Sequence, residues 1–119
     1  MSRPVRISIV IAVVIIFFGA AAKLALRNEF VIVNQSGRDL VDVTFLVTGG
    51  GSTHTFPSVP AGSERRGHFK VGSDGEFRFT ATLSGGLRIA ANGGYVTARA
   101  SGERVRITVG PDSGVRIEQ

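Results

Sequence analysis

The chain has 119 residues, no cysteine and a formal net charge of +5. That length holds one domain, and the missing cysteines exclude disulfides, thiolate zinc sites, thiol nucleophiles and lipidated cysteine anchors. The charge is concentrated: Arg3, Arg6, Lys23 and Arg27 supply four of the five positive units, and residues 28–119 carry ten basic against nine acidic side chains. Nucleic-acid binding needs a basic face that displaces counterions from phosphates, and no such excess remains outside the N-terminal segment.

Residues 7–22 read ISIVIAVVIIFFGAAA, with Ser8 the only polar side chain. Sixteen helical residues span about 24 Å, short of a hydrocarbon core of about 30 Å. Continuing to Leu26 gives twenty residues, enough to cross, with Lys23 reaching its ammonium to the interface. Residues 7–26 are therefore expected to form an uncleaved transmembrane signal-anchor helix behind a cytoplasmic tail of residues 1–6. The alternative is a signal peptide cleaved near Ala22, with Arg3 and Arg6 as its basic start and Ala20-Ala21-Ala22 as its small-residue site. A long domain behind the first apolar segment translocates largely regardless of charge. Residues 27–119 are thus expected outside the cytoplasm, as a periplasmic or extracellular domain on the plasma (inner) membrane. Twelve arginines against two lysines, with much Gly, Ala and Val, suggest bacterial coding of high GC content.

Beyond Asn28 the continuous apolar run gives way to short alternating stretches between glycine-rich turns. Residues 30–33 make an apolar strand, closed by Asn34-Gln35-Ser36-Gly37. Residues 40–47 alternate with period two, which puts Val41, Val43, Phe45 and Val47 on one face. Residues 53–56 form a short strand before Pro57. In residues 65–71, Gly67, Phe69 and Val71 oppose Arg66, His68 and Lys70. Residues 76–83 give the clearest strand, with Phe77, Phe79, Ala81 and Leu83 facing one way. Ser84-Gly85-Gly86 and Asn92-Gly93-Gly94 read as hairpin turns flanking strands at 87–91 and 95–99. Val105, Ile107 and Val109 form an inward row, and Gly110-Pro111-Asp112-Ser113-Gly114 turns into a last strand at 115–117.

About eight strands at regular spacing, without helical periodicity between them, predict an all-β domain. One apolar and one polar face per strand predicts antiparallel sheets packed as an immunoglobulin-like β-sandwich; a small closed barrel carries the same pattern. The expected core is Val31, Val33, Val41, Val43, Phe45, Phe69, Phe77, Phe79, Leu83, Val105, Ile107 and Val109. The stretch V-I-V-N-Q-S-G from Val31 to Gly37, with the turn Pro60-Ala61-Gly62, resembles small bacterial envelope domains. The likeness rests on turn residues and transfers no functional residue.

Few residues suggest chemistry. His54 and His68 lack ligand spacing for a metal and read as exposed polar-face side chains. There is no G-x-S-x-G elbow, and no helix follows the glycine runs as a phosphate cradle requires. Asp39, Asp42, Asp74 and Asp112 stand singly in different segments rather than at calcium-loop spacing. Asn34-Gln35-Ser36 matches a glycosylation acceptor, a coincidence in a bacterial chain. No cofactor is expected. Arg104 and Arg106, with Arg99 and Tyr95 on a neighbouring strand, form a basic stripe that suits an acidic partner surface or lipid headgroups. Three functions follow in order: a tethered module docking another envelope protein, by strand addition at an edge such as residues 30–33; a domain binding a small molecule, glycan or lipid headgroup; and, last, an enzyme.

Overall fold

The structure, a computed structural model, describes residues 27–119. Eight strands follow in order: β1 (Asn28–Asn34), β2 (Leu40–Val47), β3 (Thr53–Val59), β4 (Glu64–Phe69), β5 (Gly75–Leu83), β6 (Arg88–Val96), β7 (Arg104–Val109) and β8 (Val115–Glu118). They form two four-stranded sheets, β4-β1-β7-β8 and β3-β2-β5-β6, packed as a β-sandwich. No helix occurs among the described residues, and none there is long and apolar enough to cross a membrane. The anchor expected at residues 7–26 lies outside the described residues.

The predicted antiparallel pairing holds for every strand pair but one: β1 and β7 run parallel, from Glu29 beside Arg104 to Asn34 beside Val109. β1 also pairs antiparallel with β4, so it is a central strand. Residues 30–33 are therefore no edge for strand addition, because hydrogen-bonded neighbours occupy both sides.

Several core assignments change for identifiable reasons. Phe30 and Ile32 point inward with Asn34, whereas Val31 faces out and is half-buried. Four consecutive apolar residues carry no alternation, so sequence alone could not choose their inward face. In β2, Leu40 and Val43 both face the core, and Val41 does not. A bulge between Val41 and Thr44 inserts the extra residue, with Asp42 at φ +50. Aspartate tolerates that left-handed conformation, and the insertion shifts the alternation by one.

The predicted hairpin at Asn92-Gly93-Gly94 is instead the interior of one long strand, β6. The register against β5 slips by one between Gly75 and Phe77, opposite Gly94 at φ +72. A methyl on Gly94 would lie 2.8 Å from the Phe77 ring and 2.6 Å from the Gln119 side-chain oxygen, so glycine is required twice over. The bulge turns Tyr95 outward and Val96 into the core. The Ser84-Gly85-Gly86 turn stands as expected, with Gly86 N–H donating to Leu83 O at 2.9 Å. β3 runs on through Pro57, which an edge strand allows because the missing N–H can face away from the sheet.

Five phenylalanines fasten the sheets together. Phe45 stacks on Phe30 with centroids 4.2 Å apart, meets Phe77 at 5.8 Å, and takes the edge of Phe69 at 5.8 Å. Phe79 is fully buried beside them in the same core cluster. The strand directions sort the connections between two ends. Arg27, the β2–β3, β4–β5 and β6–β7 connections and Gln119 share one end of the sandwich. The other four connections lie at the opposite end.

Candidate functional site

The outer faces of the two sheets differ in chemistry. On β3-β2-β5-β6, Thr55, Thr44, Thr80 and Ala90 fall in one uncharged row across the strands. On β4-β1-β7-β8 the outward positions carry charge. Val31 lies between Arg66 and Arg106, its partners on β4 and β7, and Glu118 follows on β8. One step toward the N-terminal end, Glu29 lies between His68 and Arg104.

The alternation of β1, β4 and β7 dictates this array. Phe30, Val105 and Phe69 go to the core, which sends Glu29, Val31, Arg66, His68, Arg104 and Arg106 outward. Gly67, inward-facing on β4, lets the Phe30 ring lie against its backbone; a methyl there would come within 2.7 Å of the ring. The outcome is a depression of about 450 Å³ on the sheet face, with Val31 among its lining residues and Arg66, Arg104, Arg106 and His68 around it.

Most of these charges are paired at the surface. Glu29 holds His68 Nε2 at 3.3 Å with one oxygen and Arg104 Nε at 3.3 Å with the other. Arg66 meets Glu64 at 3.1 Å, and Arg116 meets Glu118 at 3.1 Å. All are substantially exposed, so each pair contributes little to stability. Arg106 forms no ion pair among the described residues.

Of the residues expected to form a basic stripe, Arg104 and Arg106 lie on this face. Tyr95 belongs to the other sheet, and Arg99 sits in the β6–β7 connection, so neither is on a strand neighbouring β7. Tyr95 is 61% exposed, and its hydroxyl donates to Asp74 Oδ2 at 3.2 Å. The Asp74 carboxylate, by its charge and then by that hydrogen bond, raises the phenol above its ordinary value of 10.0. No local pattern in the sequence brings Arg66, His68, Glu29 and Val31 beside Arg104 and Arg106. The alternation of residues 65–71 already set Arg66 and His68 on a polar face, but which strand lies beside them is a long-range fact.

The two histidines sit in different surroundings. His68 is exposed on the charged face as expected. His54, expected on a polar face, instead packs its ring 4.9 Å from Phe30, with Nε2 buried and without a hydrogen-bond partner. Among the described residues no group of three His, Cys, Asp or Glu side chains is placed to hold a metal ion. Asn34 is fully buried and donates to Arg38 O at 2.6 Å and Val59 O at 2.8 Å, so its amide is a structural hub, inaccessible in the fold to a glycan.

No protein-family model matches the chain, and no curated protein matches it. A solved structure does: the NMR structure of a protein from Eubacterium rectale, with a TM-score of 0.54 over 77% of this chain and 86% of that one. Identity is 15%. The likeness is one of fold.

Proposed function

We propose that this chain is a membrane-tethered docking module of the bacterial cell envelope. In this reading an immunoglobulin-like sandwich is held outside the cytoplasm by residues 7–26 and presents the outer face of β4-β1-β7-β8 to another envelope protein. One observation carries the reading. The charged sheet face is concave around Val31, with Arg66, Arg104 and Arg106 arranged about an apolar centre. An apolar centre inside a polar rim is the anatomy of a protein interface. The other outer sheet face carries a threonine row and fewer charges, among them the Arg78–Glu76 pair, so the two faces differ in charge density. Catalysis is the weaker reading, because the ionisable side chains of the face engage one another on open surface.

The test uses full-length protein. Membrane fractionation, intact mass and protease accessibility are expected to show an uncleaved, membrane-bound chain whose domain is digested only from outside. Purification in mild detergent is expected to bring down a partner that a triple Arg66→Glu, Arg104→Glu, Arg106→Glu variant no longer retains. A chain recovered dissolved in cytosol, or a partner indifferent to the three reversals, overturns the proposal.

A further inference from the structure

We infer that the partner segment seated on this face is an extended acidic–aliphatic peptide stretch, with a carboxylate on the Arg106 guanidinium and an aliphatic side chain on Val31; this rests on the docking reading above. The inference comes from how the charges are already committed. Arg66, Arg104 and Arg116 each have a carboxylate within 3.3 Å. Arg106 has Val31 and Glu118 as its cross-strand partners, but the Glu118 carboxylate is turned onto Arg116 at 3.1 Å. Arg106 is thus left, among the described residues, as an exposed cation without a counter-charge beside a half-buried valine. The group that complements this pair is an anion carried next to a hydrocarbon side chain. Planar guanidinium groups bind carboxylates through two parallel hydrogen bonds, which fixes orientation as well as charge.

The row toward the N-terminal end is less receptive to an acid, because Glu29 already sits between His68 and Arg104. An incoming carboxylate is therefore directed to the Arg66–Val31–Arg106 row. That row spans two interstrand spacings, about 10 Å, a distance covered by about three residues of extended peptide. A lipid surface fits less well. Val31 lies three residues beyond Asn28, about 10 Å along the strand, and the face looks sideways from the end where residues 7–26 join.

Full-length protein in uncharged detergent micelles provides the test. The probe is a fluorescein-labelled peptide alternating glutamate and valine, read by anisotropy beside a lysine–valine peptide of equal length. The glutamate peptide is expected to bind and the lysine peptide not to. Arg106→Glu and the milder Arg106→Gln are each expected to weaken binding about tenfold, the scale of one charge-assisted hydrogen bond. Arg88→Glu, an equal charge reversal on β6 of the other sheet, is expected to change it far less. Binding unaffected by either Arg106 variant overturns the assignment. So does Arg106-dependent binding to phosphatidylcholine vesicles only when they contain phosphatidylglycerol, without peptide binding, since the occupant is then a membrane surface. If the co-purified partner is lost on charge reversal but the glutamate peptide does not bind, the acidic–aliphatic assignment falls and the docking reading stands. A partner retained by the reversed variants overturns the docking reading itself.

Discussion

At the scale of single residues, the molecule holds two polar groups whose surroundings make sharp predictions. His54 Nε2 is buried against Phe30 without a partner, so the imidazole loses hydration and gains no hydrogen bond. His54→Leu is expected to raise the unfolding free energy by about 1 kcal/mol in urea titration, since replacing an unsatisfied buried polar atom by hydrocarbon removes its desolvation cost. Tyr95 is the chain's only tyrosine, and there is no tryptophan, so phenolate absorbance reports it alone. Its midpoint is expected above 10.0 and is expected to fall toward that value in Asp74→Asn. The sign follows by linkage. A folded value above the unfolded one means that the stabilisation is fully present below a pH of about 10 and is lost as pH rises through the folded value.

At the scale of elements, Asn34 joins three of them. From the end of β1 it donates to the β1–β2 turn and to the end of β3, and its oxygen accepts from Ser36 N–H at 3.1 Å and Ser36 Oγ at 2.6 Å. Asn34→Ala takes the side-chain donor from the buried Val59 carbonyl and the acceptor from Ser36, and is expected to cost about 3 kcal/mol in denaturant unfolding. Clean alternation decides what is legible in the sequence. β5 alternates cleanly, and its inward residues Phe77, Phe79, Ala81 and Leu83 all reach the core as read. β1, with four apolar residues in succession, left its inward face open, and β2 and β6 hide bulges at Asp42 and Gly94 that break the period without breaking the strand. The candidate face was half legible. Arg104 and Arg106 fall on one side by alternation alone. Their meeting with Val31 and Arg66 depends on β1 lying between β4 and β7, a pairing of distant segments that no local pattern encodes.

At the scale of the whole molecule, one flank of the sandwich is drawn shut. A methyl on Gly93 of β6 would lie 3.7 Å from Ile117 Cβ of β8, so the two sheets approach closely there. Gln119 completes the closure by accepting from Tyr95 N–H at 2.8 Å and donating to Tyr95 O at 2.8 Å, an amide standing where a neighbouring strand's peptide group would be. Its amide also donates to Glu103 at 2.6 Å. Free strand edges invite pairing between molecules, so this cap protects as well as stabilises. Gln119→Ala is expected to lower stability by about 1 kcal/mol and to hasten aggregation on mild heating, measured by light scattering beside a thermal melt.

The central position of β1 also sets an order of events during synthesis. Its residues leave the ribosome before any other strand, yet one lateral neighbour follows some thirty-six residues later and the other about seventy-six. At translation speeds of roughly 5–20 residues per second, the Phe30-Val31-Ile32-Val33 stretch waits on the order of ten seconds for its second neighbour. Over that interval one side of this apolar stretch stays unpaired, an open edge of the kind that associates with other chains.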